Sequence, residues 1–115
     1  MSVKILHNPR CSKSRQTLQL LQEQGVEPEI IEYLKTPPTQ AELEDILKKL
    51  DMQPRDLMRK REAEYKAAGM DNTDLDNAAL VNGMVQNPKL IERPIVLAND
   101  KAAIGRPPES VLAIL

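Results

Sequence analysis

The chemistry of this chain centres on its only cysteine. Cys11 follows Asn8-Pro9-Arg10 and precedes Ser12-Lys13-Ser14-Arg15. The nucleophilic form of cysteine is the thiolate, and a free thiol with a pKa of about 8.5 is mostly protonated at neutral pH. Unpaired N–H groups at a helix start, together with nearby cations, favour the anion. The same features also suit a bound oxyanion. Arg10, Lys13 and Arg15 add positive charge, and the Ser12–Arg15 run is where a helix can open. His7, the only histidine, lies four residues before Cys11. It can hydrogen-bond into the loop and help hold the thiolate, or simply anchor the loop. Three further arginines, Arg59 within Met58-Arg59-Lys60-Arg61, Arg93 before Pro94 and Arg106 before Pro107, could complete an oxyanion site. Planar guanidinium groups grip tetrahedral oxyanions through forked hydrogen bonds that lysine does not copy. With one cysteine no internal disulfide can form, so any redox cycle must draw on an outside thiol. No His, Cys or carboxylate cluster has metal-ligand spacing.

The elements that must position these residues follow from the apolar pattern. Val3 to His7 reads as a strand, broken by Asn8-Pro9. Ser12 is the expected N-cap, and Ser14, Leu18 and Leu21 share a helical face that Gly25 terminates. Glu29 to Leu34 reads as a second strand. Cys11 therefore falls in the loop of a β-loop-α-β unit. Thr39-Gln40-Ala41-Glu42 is a capping box, and Leu43, Ile46, Leu47 and Leu50 mark the helix it opens. Further helical patterns run from about 54 to 60, from 62 to 68 ahead of Gly69, and from 75 to 86 ahead of Pro88. Pro94 to Ala98 and Lys101 to Gly105 read as a hairpin around the turn signal Asn99-Asp100. Pro107-Pro108 starts a terminal helix with Val111, Leu112 and Leu115 on one face. The pattern predicts an α/β chain of the thioredoxin-like type, βαβ, helical insert, ββα, with a mixed four-stranded sheet. Residues 1–115 form one such domain, and the all-helical insert spans about 36–91. In such folds the proline at the Pro94 position is commonly cis.

Composition narrows the function. The chain has 115 residues, with 16 Lys and Arg against 17 Asp and Glu, so it lacks the basic excess of a nucleic-acid binder. Tyr33 and Tyr65 are the only aromatic residues, which leaves little for base stacking and demands an aliphatic core. No apolar stretch approaches the roughly 20 residues of a membrane span. No export signal is visible, and a free thiol predicts the reducing cytoplasm. Neither nucleic acid nor membrane is an expected partner.

The run His7-Asn8-Pro9-Arg10-Cys11-Ser12-Lys13-Ser14-Arg15 resembles the active-site loop of the glutaredoxin-dependent arsenate reductase family. Ile91-Glu92-Arg93-Pro94-Ile95-Val96 resembles its second signature and Arg106-Pro107-Pro108-Glu109 its third. Leu57-Met58-Arg59-Lys60 is similar to the segment carrying the family's insert arginine. The resemblance runs from about residue 3 to the C-terminus. It implies that Cys11 attacks arsenate, that His7 supports the thiolate, and that Arg59, Arg93 and Arg106 hold the oxyanion and its intermediates. It also implies glutathione as co-substrate, glutaredoxin as partner and no bound cofactor. The loop reads Arg-Cys-Ser-Lys-Ser-Arg, where well-known members read more like Ala-Cys-Gly-Thr-Ser-Arg, and the chain stops short of their C-terminal extension. A thiol oxidoreductase with another substrate fits the same loop. The Spx-type regulators, which contact RNA polymerase, resemble the chain too, but typical redox-sensing members carry Cys-x-x-Cys where this chain has Ser14.

Overall fold

Val3 and Ile5 alternate with Lys4 as a half-buried strand requires, and they open a sheet built from short segments. In the computed structural model, which describes residues 2–115, β1 (Val3–Leu6) pairs in parallel with β2 (Glu29–Ile31). Its other edge pairs antiparallel with β3 (Ile95–Ala98), which pairs antiparallel with β4 (Lys101–Ile104). The order β2-β1-β3-β4 is a mixed four-stranded sheet of the thioredoxin-like kind. Asn99 and Asp100 both have positive φ, which the two-residue hairpin turn between β3 and β4 requires.

The described chain divides into two compact units. The first contains the residues up to Thr36 and Arg93–Leu115, hence the whole sheet. Its core joins Val3 and Ile5 to Val96 and Ala98, with Leu21 from α1 (Ser12–Glu23) and Val111 and Ile114 from the C-terminal segment. The second unit, Pro37–Glu92, holds α2 (Gln40–Leu50), α3 (Pro54–Leu57), α4 (Ala63–Ala67) and α5 (Asn77–Gln86). Thr39 caps α2 through a full capping box: its hydroxyl accepts from Glu42 N–H at 3.1 Å, and Thr39 N–H donates to Glu42 Oε1 at 3.0 Å. Asp76 caps α5 through Ala79 N–H.

Several expectations need correction. α1 starts at Ser12, but its N-cap is Cys11, not Ser12. Its buried face is Ser14, Thr17 and Leu21, with Leu18 only half-buried. β2 stops at Ile31, and Tyr33 is buried in the turn beyond it. The helix expected over 54–60 ends at Leu57, because Met58 adopts extended geometry and forms a bridge with Ile91. The terminal element is a 3₁₀ helix, Pro108–Ile114. Its period of three buries Pro108, Val111 and Ile114 and leaves Leu112 exposed, so the apolar face differs from the α-helical expectation.

A close approach at Gly105 ties the end of the sheet to α1. Gly105, just beyond β4, lies against Thr17 of α1 and against Pro94; a Cβ there would meet Pro94 Cγ at 2.8 Å. The Thr17 hydroxyl bonds to the Lys13 carbonyl at 2.8 Å, so this side chain sits fixed on its own helix. Gly105→Ala should therefore cost about 1–3 kcal/mol, the usual range for forced overpacking. Urea unfolding monitored by circular dichroism would read this as a lower midpoint. A midpoint equal to wild type would show that the loop has room to give.

Candidate active site

The backbone of the 8–11 loop is closed by its own hydrogen bonds. Cys11 N–H donates to the Asn8 carbonyl at 3.0 Å, Arg10 N–H to Asn8 Oδ1 at 3.0 Å, and Arg15 Nη1 to the Pro9 carbonyl at 3.0 Å. The Cys11 carbonyl accepts the Arg15 N–H at 3.0 Å, which makes Cys11 the first residue tied into α1. Its side chain thus stands where a serine or aspartate would normally cap the helix. No capping bond closes on the neutral thiol; it is the thiolate that the helix start favours. Burial pushes the Cys11 pKa up. The Ser14 N–H, the Arg93 guanidinium and the Lys13 N–H pull it down, and together they prevail, so the thiol lies below its ordinary value.

Arg106 reaches the same sulfur from the loop after β4. Its Nη2 lies 3.4 Å from Cys11 Sγ, and its Nε donates to the Arg93 carbonyl at 2.8 Å. Arg106 is exposed and Arg93 half-buried, so water screens Arg106 more strongly and Arg93 exerts the larger pull on the thiolate. Gly105 N–H donates to the Pro94 carbonyl at 3.0 Å, locking the two arginine-bearing segments in register. The peptide bonds Arg93–Pro94 and Arg106–Pro107 are both cis; the sequence pointed only to the first.

His7 sits behind the loop. It is buried, and its Nδ1 lies 2.6 Å from Ser14 Oγ, which also accepts the Asn8 N–H at 3.0 Å. Burial lowers the His7 pKa; Glu32 opposes this and Arg15 adds to it. With Nδ1 unprotonated, the ring can accept a hydrogen bond from the Ser14 hydroxyl while the Asn8 N–H occupies a lone pair of its oxygen. The ring contacts Ser14 instead of the sulfur, so the geometry is that of an anchor between strand end and helix. Its route to the thiol runs through Ser14, whose N–H acts on the sulfur. Ser12, Lys13 and Arg10 are exposed, and the cation that lowers the Cys11 pKa is Arg93, not the Arg10, Lys13 and Arg15 cluster expected from sequence.

Arg59 belongs to the helical unit. Its Nη1 donates to Glu92 Oε1 at 2.7 Å and its Nε to Glu62 Oε1 at 3.3 Å. Burial lowers the Arg59 pKa, but Glu92 and then Glu62 raise it, with a net rise. Neither glutamate stands out in the sequence, although Glu92 directly precedes Arg93 and Glu62 lies three residues beyond Arg59. Arg55 carries no sequence signal either. It donates from Nη1 to Tyr65 Oη and the Met70 carbonyl, both at 2.7 Å, and from Nη2 to the Asn72 carbonyl at 3.0 Å, pinning the segment after α4.

A thioredoxin-like sheet with a lone cysteine at the start of its first helix and two arginines at the sulfur defines a class of thiol-bearing domain. The chain belongs to the ArsC family, whose model matches residues 6–114. It is 59% identical to an uncharacterised protein of Escherichia coli, YfgD, over 98% of this chain and 96% of that one. It is 53% identical to an arsenate reductase of Neisseria meningitidis over 98% of this chain and 97% of the relative. The solved structure of an arsenate reductase from Vibrio cholerae superposes with a TM-score of 0.96 at 49% identity, covering 100% of this chain and 98% of that one.

The lowered Cys11 pKa has a direct readout. The rate of iodoacetamide alkylation follows the thiolate, so it should rise with pH and reach half-maximum below the free-thiol value of about 8.5. Arg93→Ala should move the inflection up, since it removes a group that favours the charged form. A wild-type inflection at or above the free-thiol value would contradict this geometry.

Proposed function

We propose that the protein is an arsenate reductase that uses Cys11 as its nucleophile and glutathione with glutaredoxin as its source of electrons. One observation carries the reading: the Cys11 sulfur stands at the N-terminus of α1 with Arg106 Nη2 at 3.4 Å and the Arg93 guanidinium on its charge. A nucleophile and two forked cations converge on one point, the arrangement that a tetrahedral oxyanion needs. The arsenate reductases among the relatives support arsenate as the substrate.

On this reading the Cys11 thiolate attacks arsenic(V), and an arsenate oxygen leaves as water. Arg93 and Arg106 hold the remaining oxygens as the thiolate charge passes into the adduct. The helix-start N–H groups of Lys13 and Ser14, which favoured the thiolate, then face the bound group. Glutathione displaces a second oxygen as water to form an arsenic–sulfur bond. A glutaredoxin thiolate attacks that glutathione sulfur to give a glutathione–glutaredoxin disulfide, while the bond's electron pair reduces As(V) to As(III). Water then cleaves the Cys11–arsenic bond to release arsenite and the thiol. The chain contains one cysteine, so both the second sulfur and the reducing equivalents come from outside. For Arg59 an oxyanion-binding role rests on its likeness to the family's insert arginine; its guanidinium is held within the helical unit by Glu92 and Glu62. His7 acts through Ser14, keeping the first turn of α1 in place under the sulfur. A reaction that depends on reduced glutathione belongs in the cytoplasm, and among the described residues no helix is long and apolar enough to cross a membrane.

The test is arsenate-dependent NADPH oxidation in the presence of glutathione, glutaredoxin and glutathione reductase. Wild type should turn over, and Cys11→Ser should not, since a hydroxyl is a far poorer nucleophile at neutral pH. Omitting the thiols should stop wild type as well. Arg93→Lys should lose roughly ten- to a hundred-fold in kcat/KM, from about 1.5–3 kcal/mol of charge-assisted hydrogen bonding that an ammonium replaces poorly. Turnover by Cys11→Ser at the wild-type rate would refute the mechanism.

A further inference from the structure

Arg59 reaches any ligand in the company of a carboxylate. Glu92 holds its Nη1 at 2.7 Å and Glu62 its Nε at 3.3 Å, while among the described residues Nη2 has no protein partner. The cleft at this guanidinium, about 450 Å³, is lined by Asp56, Met58, Arg59, Lys60, Arg61 and Glu92. Three cations therefore face two carboxylates, and the lining is positive by one charge only. Such a site attracts an anion weakly through net charge and must recognise it through hydrogen bonds. Arg59 supplies donors. A carboxylate such as that of Glu92 accepts hydrogen bonds and does not donate them. An oxyanion that keeps a proton can donate that O–H to Glu92 while accepting from Arg59. One with no proton meets the carboxylate oxygen-to-oxygen and is repelled.

We propose that Glu92 is a specificity-determining residue: set against Arg59, it selects tetrahedral oxyanions that carry a proton at neutral pH, such as arsenate and phosphate, and rejects fully deprotonated ones such as sulfate. The inference rests on the reading of Arg59 as an oxyanion ligand and narrows the ligand class for that position. Losing or gaining one hydrogen bond between charged groups changes affinity by about tenfold or more.

The probes are inorganic phosphate and sulfate, which are not reduced, titrated by calorimetry into the full chain at neutral pH. Wild type should bind phosphate at least about tenfold more tightly than sulfate. Glu92→Gln, which keeps the shape and removes the charge, should collapse that preference by raising sulfate affinity. Glu92→Asp, which keeps the charge, should retain most of it. In an Arg59→Ala background, Glu92→Gln should no longer alter the ratio, because Glu92 works through the anion that Arg59 holds. A purely structural Arg59–Glu92 pair would lower the thermal midpoint and leave the ratio unchanged. Equal binding of sulfate and phosphate by wild type overturns the proposal whether or not any variant folds. An unchanged ratio in Glu92→Gln, with arsenate still reduced and phosphate still competing, overturns the proposal alone. A wild type that neither binds phosphate nor reduces arsenate overturns the arsenate reading and this one with it.

Discussion

A negative charge on the Cys11 sulfur has to be matched by the protein, because burial alone would keep the thiol protonated. The match comes from two sources that differ in kind. The N–H groups of Lys13 and Ser14 belong to the first turn of α1, whose carbonyl partners do not exist, so their dipoles point outward at no conformational cost. The Arg93 guanidinium comes from the other end of the chain, and it is present only if β3 is paired in register with β1. The thiolate is thus a local property of a helix start and a long-range property of the sheet.

The rest of the site serves this pairing. Gly105 lets the loop after β4 approach Thr17 and Pro94, and the same loop delivers Arg106 to the sulfur. Arg106 in turn bonds the Arg93 carbonyl, so the two arginines share one scaffold. His7 and Ser14 fix the helix start from behind through the Nδ1–Oγ hydrogen bond, and burial disfavours a charge on the His7 ring. Proline after each arginine removes a backbone donor at the position where Arg93 and Arg106 turn toward the thiol.

Much of this was legible in the sequence because it is written in residue types and periods. The apolar run from Val3 broken by Asn8-Pro9 marked β1, the Asn99-Asp100 pair marked the hairpin, and Thr39 with Glu42 marked the start of α2. The cysteine between Asn8-Pro9-Arg10 and Ser12-Lys13-Ser14-Arg15 announced itself, as did the two Arg-Pro pairs. What stayed hidden depends on three dimensions. Val111, Leu112 and Leu115 fit an α-helical face, and only the packing of Pro108, Val111 and Ile114 selects the 3₁₀ period. The His7–Ser14 contact crosses from strand end to helix, and Arg59 meets Glu92 across 33 residues, so no local spacing reveals either. The cations next to Cys11 in sequence looked like its electrostatic partners, yet Arg15 is spent on the Pro9 carbonyl while Arg93 acts on the sulfur.

The proposed mechanism requires the Cys11 sulfur itself to take the oxyanion. Intact-protein mass spectrometry, with peptide mapping after incubation with arsenate and glutathione under acid quench, tests it most directly. An arsenic- or glutathione-bearing mass increment should appear, confined to the peptide containing Cys11 and absent from Cys11→Ser. Wild type that reduces arsenate while Cys11 stays unmodified at every quench time, or an increment mapping to another peptide, would contradict it.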